Sequence, residues 1–600
     1  MKSLFLSCAL VCALALPLSA RTTPIAASGA SSALRPVPDW VTTSNAHARA
    51  LLDAQMRFQP ERASLIGIPG YDHLVADLGP DHRARFREAI AQARTGLQEA
   101  LRLERDRNVR QDLEIMIAAV DEAIAVSATT ERLRLPWVDA PLLMFNGVRS
   151  LLSEQTPTER RAFALQRLRT YVGLAPGSAP LTTLARRRYE ERAGDADLLR
   201  PTRAEVEQAL TNAETYARGV RELFVRWRVR GAEPALNALD AQIADYAAWA
   251  RREVLPQART ETRLPRELYA LRLRQMGIDI PPEQLIRRAQ LGFMETRAAM
   301  DLLAPLVAKE KGFADDDYRS VIRALKRETI PDDRLEARYR EVIGAIDAII
   351  RRERIVDLPQ RPMVMRLGTP AESAAQPAPH FLSAPLIGDT GQQGQFVLPV
   401  GNPALVGSDG AYDDFNYPAV AWTLSAHEGR PGHDLQFTAI VERGVSLART
   451  LFAYTPVNVE GWALYAEAEM LPHLPLDGQL IALQFRLMRA ARAMLDPMLH
   501  LGLIDRERAE QVLVEDVGLS GAMARQELDR YSFNAPGQGC SYFYGYTRIL
   551  ELRAETELAL GRDFDRMAFN NFLLDQGMLP PDLLAKAVRE EFVPAQRGSP

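Results

Sequence analysis

Two of the chain's eight histidines lie six residues apart, in Ser425-Ala426-His427-Glu428-Gly429-Arg430-Pro431-Gly432-His433-Asp434-Leu435-Gln436. Imidazole nitrogen is a favoured ligand of Zn2+, and a carboxylate beside a ligating histidine is placed to take a proton from an attacking water. His427 and His433 are therefore candidate ligands, and Glu428 is the candidate general base. The spacing sets a geometric condition. On one unbroken helix, residues six apart point about 120° away from each other and cannot share a metal, whereas a spacing of four leaves them only about 40° apart. Gly429-Arg430-Pro431-Gly432 meets that condition, because proline lacks the N–H a continuing helix needs and glycine accepts unusual dihedrals. The expectation is a helix interrupted between the histidines, with His433 returned to the side of His427. A third ligand is expected downstream, where Thr455-Pro456 opens a helix carrying Glu460 and, seven residues on, Glu467. The two share a face. Glu460 is the preferred ligand; Glu467 either orients a histidine by accepting its second N–H or ligates in its place.

These residues have to be positioned by helices. From 41 to about 355 the chain repeats apolar residues at three- and four-residue intervals on an Arg/Glu-rich surface, with stretches at 83–104, 109–127, 158–174, 203–229, 235–254, 284–303 and 334–353. Residues 356–418, rich in proline and glycine, break this pattern and hold β-like pieces at 363–367, 380–386 and 395–400. The last two are spaced as a hairpin, and a small sheet there would be a place for an extended peptide to add a strand. Helical patterning returns through 420–443, 457–471, 478–501, 505–518, 520–532 and 541–561. The expected organisation is an export signal at 1–20, a flexible leader at 21–40 and a single domain at 41–600. Within that domain lie a helical half (41–355), a β-containing segment (356–418) and a helical half bearing the metal site (419–600).

The export reading rests on Lys2, an apolar run at 4–16 too short to span a bilayer, and the small residues Ser19-Ala20. It places the protein in the periplasm or outside the cell, with no membrane span after cleavage. Of three cysteines only Cys540 lies beyond that signal, so no internal disulfide can form and a large core must carry stability. With 73 basic and 77 acidic residues interspersed along the chain, nucleic acid is not an expected partner. Oligomeric state is not legible.

The segment 427–436 resembles the signature of the DUF885 family, His-Glu-x-x-Pro-Gly-His-x-x-Gln. Two further motifs follow in the family's order: Glu460-Gly461-Trp462-Ala463-Leu464-Tyr465-Ala466-Glu467, and Arg530-Tyr531…Pro536-Gly537-Gln538-Gly539-Cys540-Ser541-Tyr542. Phe543-Tyr544 departs from the family's Lys-Ile at that point, which bears on substrate contacts rather than on the metal. The resemblance implies a mainly α fold: a large helical bundle-like body with a deep central cleft and a small β-hairpin or sheet, similar to gluzincins and oligopeptidases. It also implies a zinc peptidase activity on short peptides. In that chemistry Tyr542 is the candidate donor to a developing oxyanion, with Tyr544 and Tyr546 nearby in sequence. Arg530 could pair with a substrate carboxylate or hold Glu467 or Asp516. Gln436, Tyr531 and His380 are further candidates for positioning or substrate contact. Two other classes use the same residues: a metal-dependent hydrolase of a non-peptide amide, and a non-catalytic periplasmic binding or scaffold protein.

Overall fold

The computed structural model describes residues 37–376, 378–387, 391–399 and 414–597. The export signal at 1–20, most of the leader and most of the glycine-rich stretch after 388 lie outside the described residues. Helices occupy the segments whose periodicity predicts them: His82–Leu103, Arg107–Leu133 and Asp332–Glu353 are three of the longer ones. Those that bear on function are α1 (Ala140–Arg149), α2 (Arg203–Arg226), α3 (Pro282–Lys311), α4 (Val420–Leu424), α5 (His433–Arg443), α6 (Pro456–Met470), α7 (Leu476–His500), α8 (Gly521–Asp529) and α9 (Cys540–Leu560). From Val37 onward the chain forms one compact unit. No helix among the described residues is long and apolar enough to cross a membrane.

The three β-like pieces form one mixed sheet: β1 (Val364–Leu367), β2 (His380–Leu382) and β3 (Gln395–Leu398), in the order β1-β3-β2. The expected hairpin partners pair antiparallel, His380 opposite Val397, while β1 joins β3 in parallel, Val364 opposite Gln395. β3 is buried throughout because it is the central strand. β2 is an edge strand and packs on the turn that carries His427.

Two apolar cores carry the body. The larger joins α3, α4, α6, α7 and α9, and the second is built on α1, α2 and the helices around them. In the larger core α3 lies along α7 and α6 along α9. α7 is buried on nearly all sides yet carries Arg489 and Arg492. A buried charge is tolerable only when paired. Arg492 meets Glu527 of α8 through two hydrogen bonds of 2.6 Å, and Arg489 lies 3.4 Å from Glu467 of α6. These pairs lock α7 and α8 in place, and with α6 they set the position of the candidate site. Cys540 is buried at the start of α9, and burial pushes its thiol well above its ordinary range.

Candidate functional site

The helix that begins at α4 widens into a π turn over Ser425–Gly429, leaves helical geometry at Arg430, and restarts at His433 as α5. π turns recur at functional sites because they re-aim side chains within a helix. The break is sharp because Gly432 N–H donates to Ala426 O at 2.9 Å. A Cβ on Gly432 would sit 2.0 Å from His427 O, so only glycine allows the chain to fold back this closely. The two imidazoles thereby come to lie 4.8 Å apart, centroid to centroid. Trp462 of α6 fastens the loop from the other side, its indole N–H donating to Pro431 O at 3.0 Å.

Glu460 enters from the first turns of α6, whose start is set by the Thr455 cap and Pro456 at the first helical position. α6 and α9 touch through Gly461 and Gly545: a Cβ on Gly461 would lie 2.6 Å from Gly545 C, and one on Gly545 would lie 2.0 Å from Val457 O. That contact draws Tyr542, one turn before Gly545, against the site. Its ring stacks on His427 with centroids 5.9 Å apart and planes 18° from parallel.

The ligand atoms of His427, His433 and Glu460 all lie within 4.8 Å of one another. Glu460 Oε2 is 3.5 Å from His427 Nε2 and 3.3 Å from His433 Nε2. It is buried and, among the described residues, has no hydrogen-bond partner. Glu467 takes the other alternative open to it: its Oε1 accepts from His427 Nδ1 at 2.7 Å, and its Oε2 accepts from the Thr423 hydroxyl at 2.6 Å. Burial pushes the Glu467 carboxyl up, but Arg489 and then His427 outweigh it and hold it below the usual carboxylate range. Because a carboxylate only accepts, His427 carries its proton on Nδ1 and turns a bare lone pair on Nε2 toward Glu460. The bare lone pair of His427 and the Glu460 carboxylate oxygen thus face each other across 3.5 Å, an arrangement that repels unless a cation or a proton lies between them, and His433 Nε2 closes the third side. Donors about 2.0–2.1 Å from a tetrahedral zinc lie about 3.4 Å apart, which the two Glu460 distances match. The donor set, two imidazoles and one carboxylate, could hold Zn2+ with a position to spare.

Glu428 is buried beside this cluster, and loss of solvent pushes its carboxyl up to about 8, with His433 opposing and Glu460 adding. Arg530 holds Tyr542 and Glu527 rather than Glu467 or Asp516, donating to the Tyr542 hydroxyl at 3.0 Å. The phenol therefore accepts from Arg530 and keeps its own proton to give. Tyr544 turns away to Asp279 and Arg548, and Tyr546 lies against Arg486. Tyr531 donates to Glu527 Oε2 at 2.9 Å, so it holds the partner of Arg492 and touches no ligand. Gln436 donates to Asn458 at 3.0 Å, tying α5 to α6. His380 stays on the sheet, its Nδ1 3.0 Å from Ala378 O, and burial lowers it to about 4.

Sequence reasoning passed over four contributors: Thr423, Arg489, Arg492 and Gln538, which donates to Glu460 Oε1 at 3.1 Å. Arginines inside the apolar run of α7 were the available signal for two of them, and Gln538 stands inside the third motif. Nothing local in the sequence marks Thr423.

Residues 60–588 match the model of the family described as "Bacterial protein of unknown function (DUF885)". None of the curated proteins compared matches the chain. Two solved structures share its fold. A candidate lipoprotein from Colwellia psychrerythraea is 18% identical with a TM-score of 0.74, covering 92% of this chain and 99% of that one. A candidate lipoprotein of unknown function from Shewanella oneidensis is 19% identical with a TM-score of 0.66, covering 92% of this chain and 100% of that one.

Proposed function

The chain belongs to the DUF885 family, and from its site we propose that it is an exported, gluzincin-like zinc peptidase of short peptides, acting in the periplasm or outside the cell. The observation that supports this most directly is the convergence of His427 Nε2, His433 Nε2 and the unpartnered Glu460 Oε2, with Glu467 fixing the His427 tautomer.

His427, His433 and Glu460 would hold Zn2+, which would supply Lewis acidity toward a substrate carbonyl and an attacking water. The charge of a bound cation would return the Glu428 carboxyl to its ionised form, and Glu428 would then take the proton of the attacking water and deliver it to the leaving amine. The Tyr542 hydroxyl donates to the developing oxyanion, and Arg530 holds it in place. Glu467 and Thr423 keep His427 from rotating, while Gln538 occupies Glu460 Oε1 and leaves Oε2 to the metal. A cleft leading to these residues, too narrow for a folded protein, belongs to the same proposal.

The test uses the mature chain and its Glu428→Gln variant, with metal measured by elemental analysis and a mixed peptide library read by mass spectrometry. About one zinc per chain in both, and chelator-sensitive cleavage in the wild type alone, is the expected result. Zinc without cleavage would overturn the peptidase assignment. No zinc in either protein after reconstitution would overturn the metal site itself.

A further inference from the structure

A cavity of about 530 Å³ lies beside the second core, between α1, α2, the helix Pro60–Ile66 and the sheet. That volume falls in the range of pockets that take a drug-sized molecule. Its walls carry an uncommon concentration of buried polar atoms without partners among the described residues: Arg149 Nη1, both amide atoms of Gln155, Asn146 Oδ1 and Trp227 Nε1. Buried polar groups are nearly always satisfied, so five such atoms on one cavity call for a ligand that satisfies them.

The inventory specifies its chemistry. Arg149 has no hydrogen bond to any described residue. Glu372, the carboxylate whose charge Arg149 feels, is already taken by two hydrogen bonds from Arg366, at 3.0 and 2.8 Å, and by Thr369 N–H at 2.9 Å. Arg62, also on the wall, likewise lacks a counter-ion among the described residues. Two unpaired guanidinium groups favour an anion of the geometry a carboxylate offers. Gln155 presents a donor and an acceptor together, which complements an amide. Phe145 and Leu223 supply apolar surface.

A single strand stands between the cavity and the candidate metal cluster. Leu382 of β2 lines the cavity, and β2 packs on the π turn that holds His427 and Glu428.

We propose that this cavity binds the free-carboxylate end of a short peptide, with Arg149 as the principal anion contact and Gln155 engaging a peptide amide. The assignment of that peptide as substrate rests on the peptidase reading; the binding itself does not require cleavage. The experiment is therefore a calorimetric titration of the full mature chain carrying Glu428→Gln, with metal chelated so that a carboxylate–metal contact cannot account for the signal. The probes are N-acetyl-dialanine as the free acid and as its C-terminal amide. The free acid is expected to bind at least tenfold more tightly than the amide, and Arg149→Leu to remove that preference. Gln155→Ala, which alters no charge, is expected to weaken both probes severalfold. Equal binding of acid and amide, an Arg149→Leu variant that binds as the parent does, or a cavity that takes neither probe would overturn the proposal. Peptide binding without turnover in the metal-loaded wild type would leave this site standing while the peptidase assignment fell.

Discussion

Replacing Glu467 by glutamine separates the two tasks that this one carboxylate performs. Its Oε1 accepts from His427 Nδ1 at 2.7 Å and lies 3.4 Å from Arg489 Nη2, and all three side chains are buried. Glutamine keeps the shape and removes the charge. If its NH2 faces His427, it donates to Nδ1 and drives the imidazole proton to Nε2, where the lone pair for the metal is needed. If its carbonyl faces His427, the bond persists but loses its charge assistance, worth roughly 1–2 kcal/mol. Either orientation predicts a 10–100-fold loss of zinc affinity, about 1.4–2.7 kcal/mol. Arg489 is also left in the core without a carboxylate, which costs about 3–5 kcal/mol and lowers Tm by a few degrees in a chain of this size. Zinc affinity is read by competition with a fluorescent chelator, and Tm by calorimetry on the metal-free protein. Glu467→Asp keeps a charge opposite Arg489 while drawing back from His427, so stability is expected to recover more than affinity. A Glu467→Gln variant that holds zinc within twofold of the wild type, with unchanged metal-free Tm, would refute the orienting role.

Other predictions follow from the same contacts. Gly545→Ala places a methyl 2.0 Å from Val457 O, so α6 and α9 must separate; stability should fall by about 1–3 kcal/mol, and activity by roughly 100-fold as Glu460 and Tyr542 shift. Chemical denaturation and peptide turnover on one preparation check both. Tyr542→Phe removes the hydroxyl held by Arg530 and should lower kcat by about 10²–10³-fold while zinc content stays at the wild-type level; a rate within threefold of the wild type would remove Tyr542 from the mechanism. His500 is neutral in the fold: Nδ1 accepts from Leu264 N–H at 3.1 Å, Nε2 donates to Tyr531 O, and burial lowers its pKa from 6.5 to about 4. Between those values the unfolded chain binds the extra proton, so this histidine stabilises the fold above about pH 6.5, and that stability is lost as pH falls toward 4. By pH 5 the loss is about 2 kcal/mol. His500→Gln can reproduce both hydrogen bonds without titrating and should lose about that much less between pH 7.5 and 5, as read by urea melts at the two values.

The sequence by itself determined the local elements and the identities of the groups that could do chemistry. Apolar periodicity sufficed for helices such as α3 and α7, because burying one face is a local property of spacing. Short β-like pieces set in a proline- and glycine-rich segment sufficed for the β2–β3 pair. The Pro-Gly break was legible for the same reason: proline and glycine restrict or free the backbone wherever they stand. The tertiary structure decided how those groups are shared out. Glu460 and Glu467 occupy one face of one helix and look alike in sequence. They part because α7 presents Arg489, and α4 presents Thr423, to the second carboxylate alone, while Gln538 reaches only the first. Tyr542 differs from Tyr544 and Tyr546 only because Gly461 meets Gly545 and points that turn of α9 at His427. The unpaired state of Arg149 was equally out of reach, since it depends on Arg366 having already claimed Glu372. Spacing along a chain states which residues one element can bring together; which partner a buried charge obtains is settled only when distant elements compete for it in the same core.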